Sequence, residues 1–316
     1  MSSTSSRFGL TAFRNLYLIG PALLLATGCG PMDYQKPIQQ FSDASSIVAA
    51  SATLFLNNEN AIEQEALVER LAFEAKPIDV TAIEQSVVIS ANEIKIRTKS
   101  ILVLSSFTAN LATLASGKAG TAVTQNAADL SSSMKKLATD AGGLPNSKLD
   151  NAHFAGLASA AAEAMGAVAK AIIDKKSRRD IEKTIQDNEK PIESLIELLG
   201  SELTLAYERQ KSAVGAQSIY LSQAYSAELN TAVPNVERRI SIAGQINAYR
   251  RLQGDLQAAD PAPAVAKMRA SFVALVAYSR SNRDPQSLTA LWKAVQDFSA
   301  AAQPLAQAIQ SLITAS

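Results

Sequence analysis

The sequence of 316 residues contains one cysteine, Cys29, and one histidine, His153. A single cysteine excludes an intrachain disulfide and every zinc site built from several cysteines. A single histidine excludes the two histidines of a zinc-protease helix and the two Glu-x-x-His pairs of a di-iron bundle. A Ser-His-Asp triad would have to use His153, which lies at the edge of a predicted loop without any nucleophile-elbow sequence. We therefore predict that His153 is a surface or capping residue, and that the protein is not an enzyme and holds no metal or cofactor.

Aromatic side chains are also scarce. They make up 5% of the residues, and alanine supplies much of the 47% apolar content. Small side chains pack closely between helices, whereas sheets favour aromatic and β-branched residues. No segment alternates as a half-buried strand does, and we find no regular repeat of about 20–50 residues. The composition therefore favours an all-α fold that is held together by its core.

The N-terminus carries little charge and one short apolar run. Arg7 and Arg14 are the only charged residues before an uncharged segment of thirteen residues, 16–28. A bilayer-spanning helix needs about 20 apolar residues, and this segment also contains Gly20-Pro21. A basic start, a short apolar centre and small residues at the end are typical of a secretory signal peptide.

The end of this run resembles the cleavage site of bacterial lipoproteins, in residues Leu25-Ala26-Thr27-Gly28-Cys29. Ala26 stands where leucine is commoner in that class. The resemblance implies that the Cys29 thiol receives a diacylglycerol, that residues 1–28 are removed, and that the new amino group is acylated, with chains such as palmitate. An ordinary signal peptide with an incidental cysteine is the alternative.

The same resemblance gives an expected location. One acyl chain holds a protein marginally at a membrane, whereas two or three hold it durably. In Gram-negative members of the class, an aspartate after the cysteine tends to retain the protein at the inner membrane. Gly30 occupies that position here. The resemblance therefore implies a cell-envelope protein anchored in the outer membrane, with its orientation toward the periplasm or the exterior left open.

The near-neutral net charge of the mature protein argues against nucleic acid and anionic lipid as partners. Removal of residues 1–28 leaves 288 residues with 28 basic and 29 acidic side chains, a net charge of −1. Nucleic-acid binding normally needs a basic stripe, and binding to anionic lipid needs a polybasic cluster. We therefore expect no nucleic-acid partner, and contact with the membrane only through lipid on Cys29.

The first half of the body reads as a helical hairpin. Residues 29–37 form a short lipidated tether, and the α-helical bundle is expected over 38–316. A seven-residue apolar spacing, as in a coiled coil, predicts a helix from about 41 to 75. Thr81 with Glu84 is a candidate capping box for a second helix from about 80 to 115, antiparallel to the first. The two predicted buried seams are Ile47, Leu54, Ala61, Val68 and Ala75, and Val80, Val87, Ile94 and Ile101.

Further helices are predicted after residue 120. The first two cover about 121–140 and 149–173, separated by a break at 142–147 that could divide the bundle near 142–150. A long helix begins near Pro191 and reaches Leu229, and three more cover about 236–257, 262–281 and 286–313, the last kinked at Pro304. The predicted buried stripe of the long helix is Ile192, Ile196, Leu199, Leu203 and Ala206. The expected fold is an elongated, all-α bundle of long antiparallel helices.

Several charged or glycine-rich stretches are candidate sites, but each has a simpler interpretation. Residues 116–120 lack the spacing of a phosphate-binding loop and are better explained as a helix end. The remaining groups are most simply solvated surface charges: the carboxylate pairs Glu59/Glu63 and Glu193/Glu197, the basic cluster Lys175, Lys176, Arg178 and Arg179, and the basic residues Arg238, Arg239, Arg250 and Arg251.

Residues 154–173 are almost wholly small or apolar and have the length of a membrane span. Glu163 and Lys170 within them would each cost a few kcal/mol at the bilayer centre, so a packed bundle helix is the main interpretation. The sequence predicts a non-enzymatic scaffold or adaptor for an unknown envelope protein. The alternative is a membrane-active, pore-forming-like bundle that inserts residues 154–173.

Overall fold

A computed structural model of the protein describes residues 35–86, 89–115, 178–233 and 235–315, together with residues 132, 139, 156 and 159. These residues form helices and connecting turns, with no strand among them, so the predicted all-α bundle is confirmed. The helices in the described ranges are α1 Gln35–Phe73, α2 Val80–Gln85, α3 Ala91–Ala115, α4 Arg178–Asp187, α5 Glu189–Leu229, α6 Val236–Ala258, α7 Ala262–Arg280 and α8 Pro285–Ala315.

Helix α1 lies at the centre and contacts α3, α5, α7 and α8. It begins at Gln35, within the segment 29–37 that was expected to be a tether, because Pro37 and Ile38 are already buried. The seven-residue periodicity is correct, but the predicted seam is wrong: Leu54, Ala61 and Ala75 are exposed. The buried face follows two other registers, Ile38, Ser45, Ala52 and Glu59, and Phe41, Val48 and Phe55.

The aromatic residues of this face fix the middle of the core. Phe41 packs against Phe298 of α8 and Phe272 of α7, with ring centroids 5.8 and 6.4 Å apart. Tilted rings at such distances are favourable contacts beyond their buried area. Three aromatic side chains therefore meet where α1, α7 and α8 pack together.

The second predicted helix is two helices. Asp79, not Thr81, caps α2, since its carboxylate accepts from the backbone N–H groups of Thr81 and Ala82. A reciprocal capping box opens α3 instead: the Ser90 N–H donates to Glu93 and the Glu93 N–H donates to Ser90 Oγ. The predicted seam fails at its start, because Val80 is exposed, whereas Ile101 is buried.

Helices α1 and α3 run antiparallel, as predicted. Asn60 holds the start of α3 through two hydrogen bonds with the Ile89 backbone, at 2.7 and 3.0 Å. Further along, the Ser46 and Ser105 hydroxyls are 2.7 Å apart. A side-chain amide that satisfies both backbone groups of Ile89 fixes the register of the hairpin.

Helix α5 is the second long element, and its predicted stripe is confirmed. Ile192, Ile196, Leu199, Leu203 and Ala206 are all buried. It runs parallel to α1, because Glu59 meets Arg209 and Phe73 stacks on Tyr220. The bundle therefore also contains a parallel pair of long helices, α1 and α5, which is joined through a long intervening segment.

The last three helices match the sequence prediction closely. Asn235 caps α6, and Asp284 accepts from the Ser287 N–H at the start of α8. Helices α6 and α7 pack one after the other along α5, and both run antiparallel to it. Helix α8 runs parallel to α1 and contains Pro304 in its interior. At Gly200, α5 approaches α7 so closely that an added Cβ would lie 2.8 Å from Val265 Cγ1.

Candidate functional site

A cavity of about 490 Å³ lies between α1, α5, α6 and the last turns of α8. It is lined by the second half of α1, the middle of α5, the second half of α6 and Ile309 near the end of α8. Ligand pockets in proteins typically enclose about 300–1,000 Å³. The cavity is therefore large enough for a small molecule.

The deep part of the cavity combines apolar and amide side chains. Phe55, Val214 and Leu256 are buried there. Gln210 and Gln217 also line it and are only 4% and 3% exposed. Neither amide group forms a hydrogen bond with another residue that the structure describes. The amide atoms are not sealed from the open space of the cavity, so they are accessible to a polar guest.

The outer part of the cavity is acidic. The Tyr249 hydroxyl donates to Glu69 Oε1 at 2.7 Å, which joins α6 to α1. Burial and the bond to Glu69 raise the pKa of the Tyr249 hydroxyl. Burial, together with the neighbouring Glu69 charge, raises the pKa of the Glu65 carboxyl. With Asp255 and Arg251 also lining the cavity, three carboxylates face one guanidinium.

A second polar cluster lies between α1, α3 and α5. Arg97 of α3 forms a buried ion pair with Glu202 of α5. Arg209, one-fifth exposed, lies 3.4 Å from Glu59, which is 1% exposed. Burial raises the pKa of the Glu59 carboxyl from 4.5 to about 7, although Arg209 acts to lower it. The two ion pairs join α5 to α3 and to α1.

This cluster holds the helices together and has no space for a substrate. Glu59, Glu202 and Arg209 share a narrow crevice with no room for a water-sized molecule. A carboxyl with a pKa near neutrality would suit proton transfer, but a general base must reach its substrate. The geometry therefore supports a structural role for these charges.

A third feature is the apolar end of the α5–α6 hairpin. We define the α5–α6 tip as Leu229, Val233, Val236 and Ile240. All four are more than half exposed, Val233 at 82% and Ile240 at 67%. Arg238 and Glu228 form an ion pair between the two helices beside the tip. Clustered exposed aliphatic side chains at the end of a hairpin are typical of an interaction surface.

The structure corrects one interpretation of the charged candidates. Glu59 is buried in the heptad register of α1 and is not a solvated surface residue. Glu197 is exposed and Glu193 is partly exposed, as expected for a surface pair. Of the α6 arginines, Arg239 is half-buried, Arg250 is exposed, and Arg251 lines the cavity.

The remaining candidates lie outside the described residues. Apart from the isolated residues 132, 139, 156 and 159, these are Cys29 with its signal peptide 1–28, residues 116–120, the predicted helix 121–140, the break near 142–150, His153, and residues 154–173 with Glu163 and Lys170. Lys175 and Lys176 lie outside as well, whereas Arg178 and Arg179 form the first turn of α4. Lipidation and membrane insertion therefore stay predictions.

The cavity was not predicted from the sequence, and Glu59 was considered as a candidate only in its pair with Glu63, which was interpreted as solvated surface charge. The signal for Glu59 was present: it continues the spacing of Ile38, Ser45 and Ala52. The cavity lining comes from four helices spread over the chain from Phe55 to Ile309, and no local pattern marks it.

Two observations on the described residues concern metal binding and membrane-spanning helices. Nowhere among them do three or more His, Cys, Asp or Glu side chains converge in a way that could hold a metal ion. None of the helices that the structure describes is both long and apolar enough to cross a membrane.

No known family model matches the chain, and neither a curated protein nor a solved structure is significantly similar to it.

Proposed function

We propose that the protein is a lipid-anchored, non-enzymatic adaptor of the cell envelope that binds another protein through the α5–α6 tip. The observation that carries this proposal is the tip itself, four exposed aliphatic residues within twelve positions of the chain, 229–240. Burying such residues against a partner gains about 25 cal/mol for each Å² of apolar surface removed from water.

The positions of the two ends support this role. Cys29 precedes Gln35, the first residue of α1, by six positions, so a lipid on Cys29 would hold the start of α1 near a membrane. The 39 residues of α1 rise about 58 Å along its axis. At its far end Phe73 stacks on Tyr220, and α5 continues from there to Leu229, about 13 Å further. The tip is therefore at the end of the bundle remote from the anchor.

The chemistry of the tip favours a protein partner over a lipid surface. Glu228, Glu237, Arg238 and Arg239 lie next to its residues in the sequence, two charges of each sign, and Glu228 is buried in its ion pair with Arg238. A surface that inserts into anionic lipid normally carries an excess of Lys and Arg. A balanced rim around an aliphatic centre is instead the arrangement of a protein interface.

The anchor is tested on the mature protein. Mass spectrometry of the N-terminal peptide should find Cys29 as the first residue, modified by a diacylglycerol and a further acyl chain. Membrane fractions should contain the wild-type protein in the outer membrane, in keeping with Gly30 after Cys29 in the lipoprotein class. An unmodified cysteine, or cleavage elsewhere, would overturn the proposed anchor.

The partner is tested by crosslinking the full-length protein in living cells. We expect wild type to form one discrete adduct with a protein, and Ile240→Asp to lose it. Val273→Asp makes the same change at an exposed apolar residue of α7, away from the tip, and should keep the adduct. An adduct that survives Ile240→Asp, or is lost equally in Val273→Asp, would contradict the assignment of the tip.

A further inference from the structure

The two glutamine amides in the cavity present a problem that the adaptor role does not solve. Gln210 and Gln217 are each more than nine-tenths buried and lack hydrogen bonds to other described residues. Each amide offers two donors and one acceptor oxygen. Their amide atoms border the open space of the cavity, and the two residues lie about two turns of α5 apart, on one face of the helix.

We propose that the cavity between α1, α5, α6 and α8 is a binding site for a small organic cation with an apolar body. The buried apolar side chains Phe55, Val214 and Leu256 would contact the body of the ligand. The amides of Gln210 and Gln217 would bond to its polar atoms. This inference is independent of the adaptor role, because the cavity and the α5–α6 tip share no residue.

The positive charge of the ligand follows from the outer part of the cavity. Glu65, Glu69 and Asp255 line it against the single guanidinium of Arg251. Glu65 and Glu69 lie one helical turn apart on α1, and like charges at that spacing destabilise a helix. A bound ammonium between them would relieve this repulsion. An anionic ligand would increase it.

The ligand enters from the side of α6. Ala248, Arg251 and Glu65 line the cavity and are exposed to solvent, whereas Gln210, Gln217 and Leu256 are buried. Entry beside Ala248 places the apolar end of a guest inside and its charged end among the carboxylates. The volume of about 490 Å³ admits a ring with a short alkyl amine.

The test uses two probes of the same size, 4-phenylbutylamine and 4-phenylbutanol, which differ in charge. Full-length protein in phosphatidylcholine nanodiscs is dialysed to equilibrium against each probe, with empty nanodiscs as the blank. We expect one saturable amine site per chain, with about tenfold weaker binding of the alcohol. An absence of saturable amine binding above the blank, or equal affinity for the two probes, would overturn the proposal.

Two variants locate the site. Ala248→Trp places a large side chain at the exposed entrance and should abolish amine binding. Glu65→Gln should bring the affinity for the amine close to that for the alcohol, while Glu197→Gln, an equal change of charge on the exposed surface of α5, should leave both unchanged. Retained binding in Ala248→Trp, with the helical circular dichroism of wild type, would place the probe elsewhere and overturn the assignment. Equal effects of Glu65→Gln and Glu197→Gln would do the same.

Discussion

Glu59 and Arg209 form an ion pair across the interface of α1 and α5, with 3.4 Å between Oε1 and Nη1. Glu59 occupies a core position of the α1 heptad, after Ile38, Ser45 and Ala52, and its second oxygen, Oε2, has no hydrogen-bond partner among the described residues. A carboxylate in such surroundings is costly to ionise. The pair therefore fixes the parallel register of the two longest helices but leaves the bundle sensitive to pH.

The first prediction is that stability falls as pH rises through the range in which Glu59 ionises. Burial raises the pKa of Glu59 from 4.5 to about 7 in the folded protein. Between these values the folded state holds a proton that the unfolded state has released, so folding is favoured at the acidic end. A shift of this size corresponds to about 3 kcal/mol. Urea denaturation of wild type and Glu59→Gln from pH 4.5 to 8 measures it.

Glu59→Gln keeps the shape of the side chain and cannot ionise. The free energy of unfolding of wild type relative to Glu59→Gln should therefore decrease by about 3 kcal/mol across this range. Glu197→Gln, at an exposed position of α5, should follow wild type at every pH. Parallel curves for wild type and Glu59→Gln would show that burial does not shift the pKa of Glu59.

The second prediction concerns the buried pair Arg97–Glu202. Arg97→Met leaves the Glu202 charge in the interior without its guanidinium, and we expect a loss of about 3–5 kcal/mol. Arg97→Met with Glu202→Leu removes both charges and fills a similar volume, so it should be much less destabilised than the single variant. Chemical denaturation of the single and double variants measures the coupling. Additive losses would argue against a direct interaction between the two residues.

The third prediction tests the contact between α5 and α7. Gly200→Ala places a Cβ 2.8 Å from Val265 Cγ1, and valine is stiff at χ1, so we expect a loss of about 1–3 kcal/mol. Gly215→Ala, in the same helix with open space around its Cβ, should instead gain about 0.5–1 kcal/mol from helix propensity. Val265→Ala in the Gly200→Ala background should restore part of the loss. Thermal denaturation of wild type, the two single glycine variants and the double variant measures these differences. A Gly200→Ala protein as stable as wild type would contradict the close approach of α5 and α7.

The fourth prediction concerns the protein without ligand. Gln210→Met replaces an amide that lacks a hydrogen bond by an apolar side chain of similar length, so the free energy of unfolding should rise by about 1 kcal/mol. Gln303→Met, at an exposed position of α8, should have little effect. A loss of stability in Gln210→Met, measured by urea denaturation, would mean that the amide is satisfied in the folded protein.

Local signals predicted the C-terminal half of the fold well. Prolines and capping residues such as Asn235 and Asp284 mark the helix ends, and these signals act over three or four residues. On the buried face of α5, every residue from Ile192 to Leu199 is apolar, and the charged residues between them face outward, so the sequence indicates one register.

In α1 the choice between registers depends on contacts that the local sequence does not contain. Leu54 and Phe55 are adjacent and equally apolar, yet Phe55 faces the core and Leu54 faces solvent. Glu59 is buried because Arg209 reaches it from a helix 150 positions away. The cavity has the same origin, since Tyr249 meets Glu69 across 180 positions. Long-range pairs of this kind decide which of two plausible faces becomes the core.

The most direct test of the adaptor role is site-specific photo-crosslinking in living cells. A photo-reactive amino acid replaces Ile240 at the α5–α6 tip in one strain and Val273 on α7 in another, in otherwise full-length protein. We expect one protein adduct from position 240 that is absent from position 273 and is lost when Cys29→Ala removes the anchor. Adducts of equal yield from both positions, or none from position 240, would contradict this expectation.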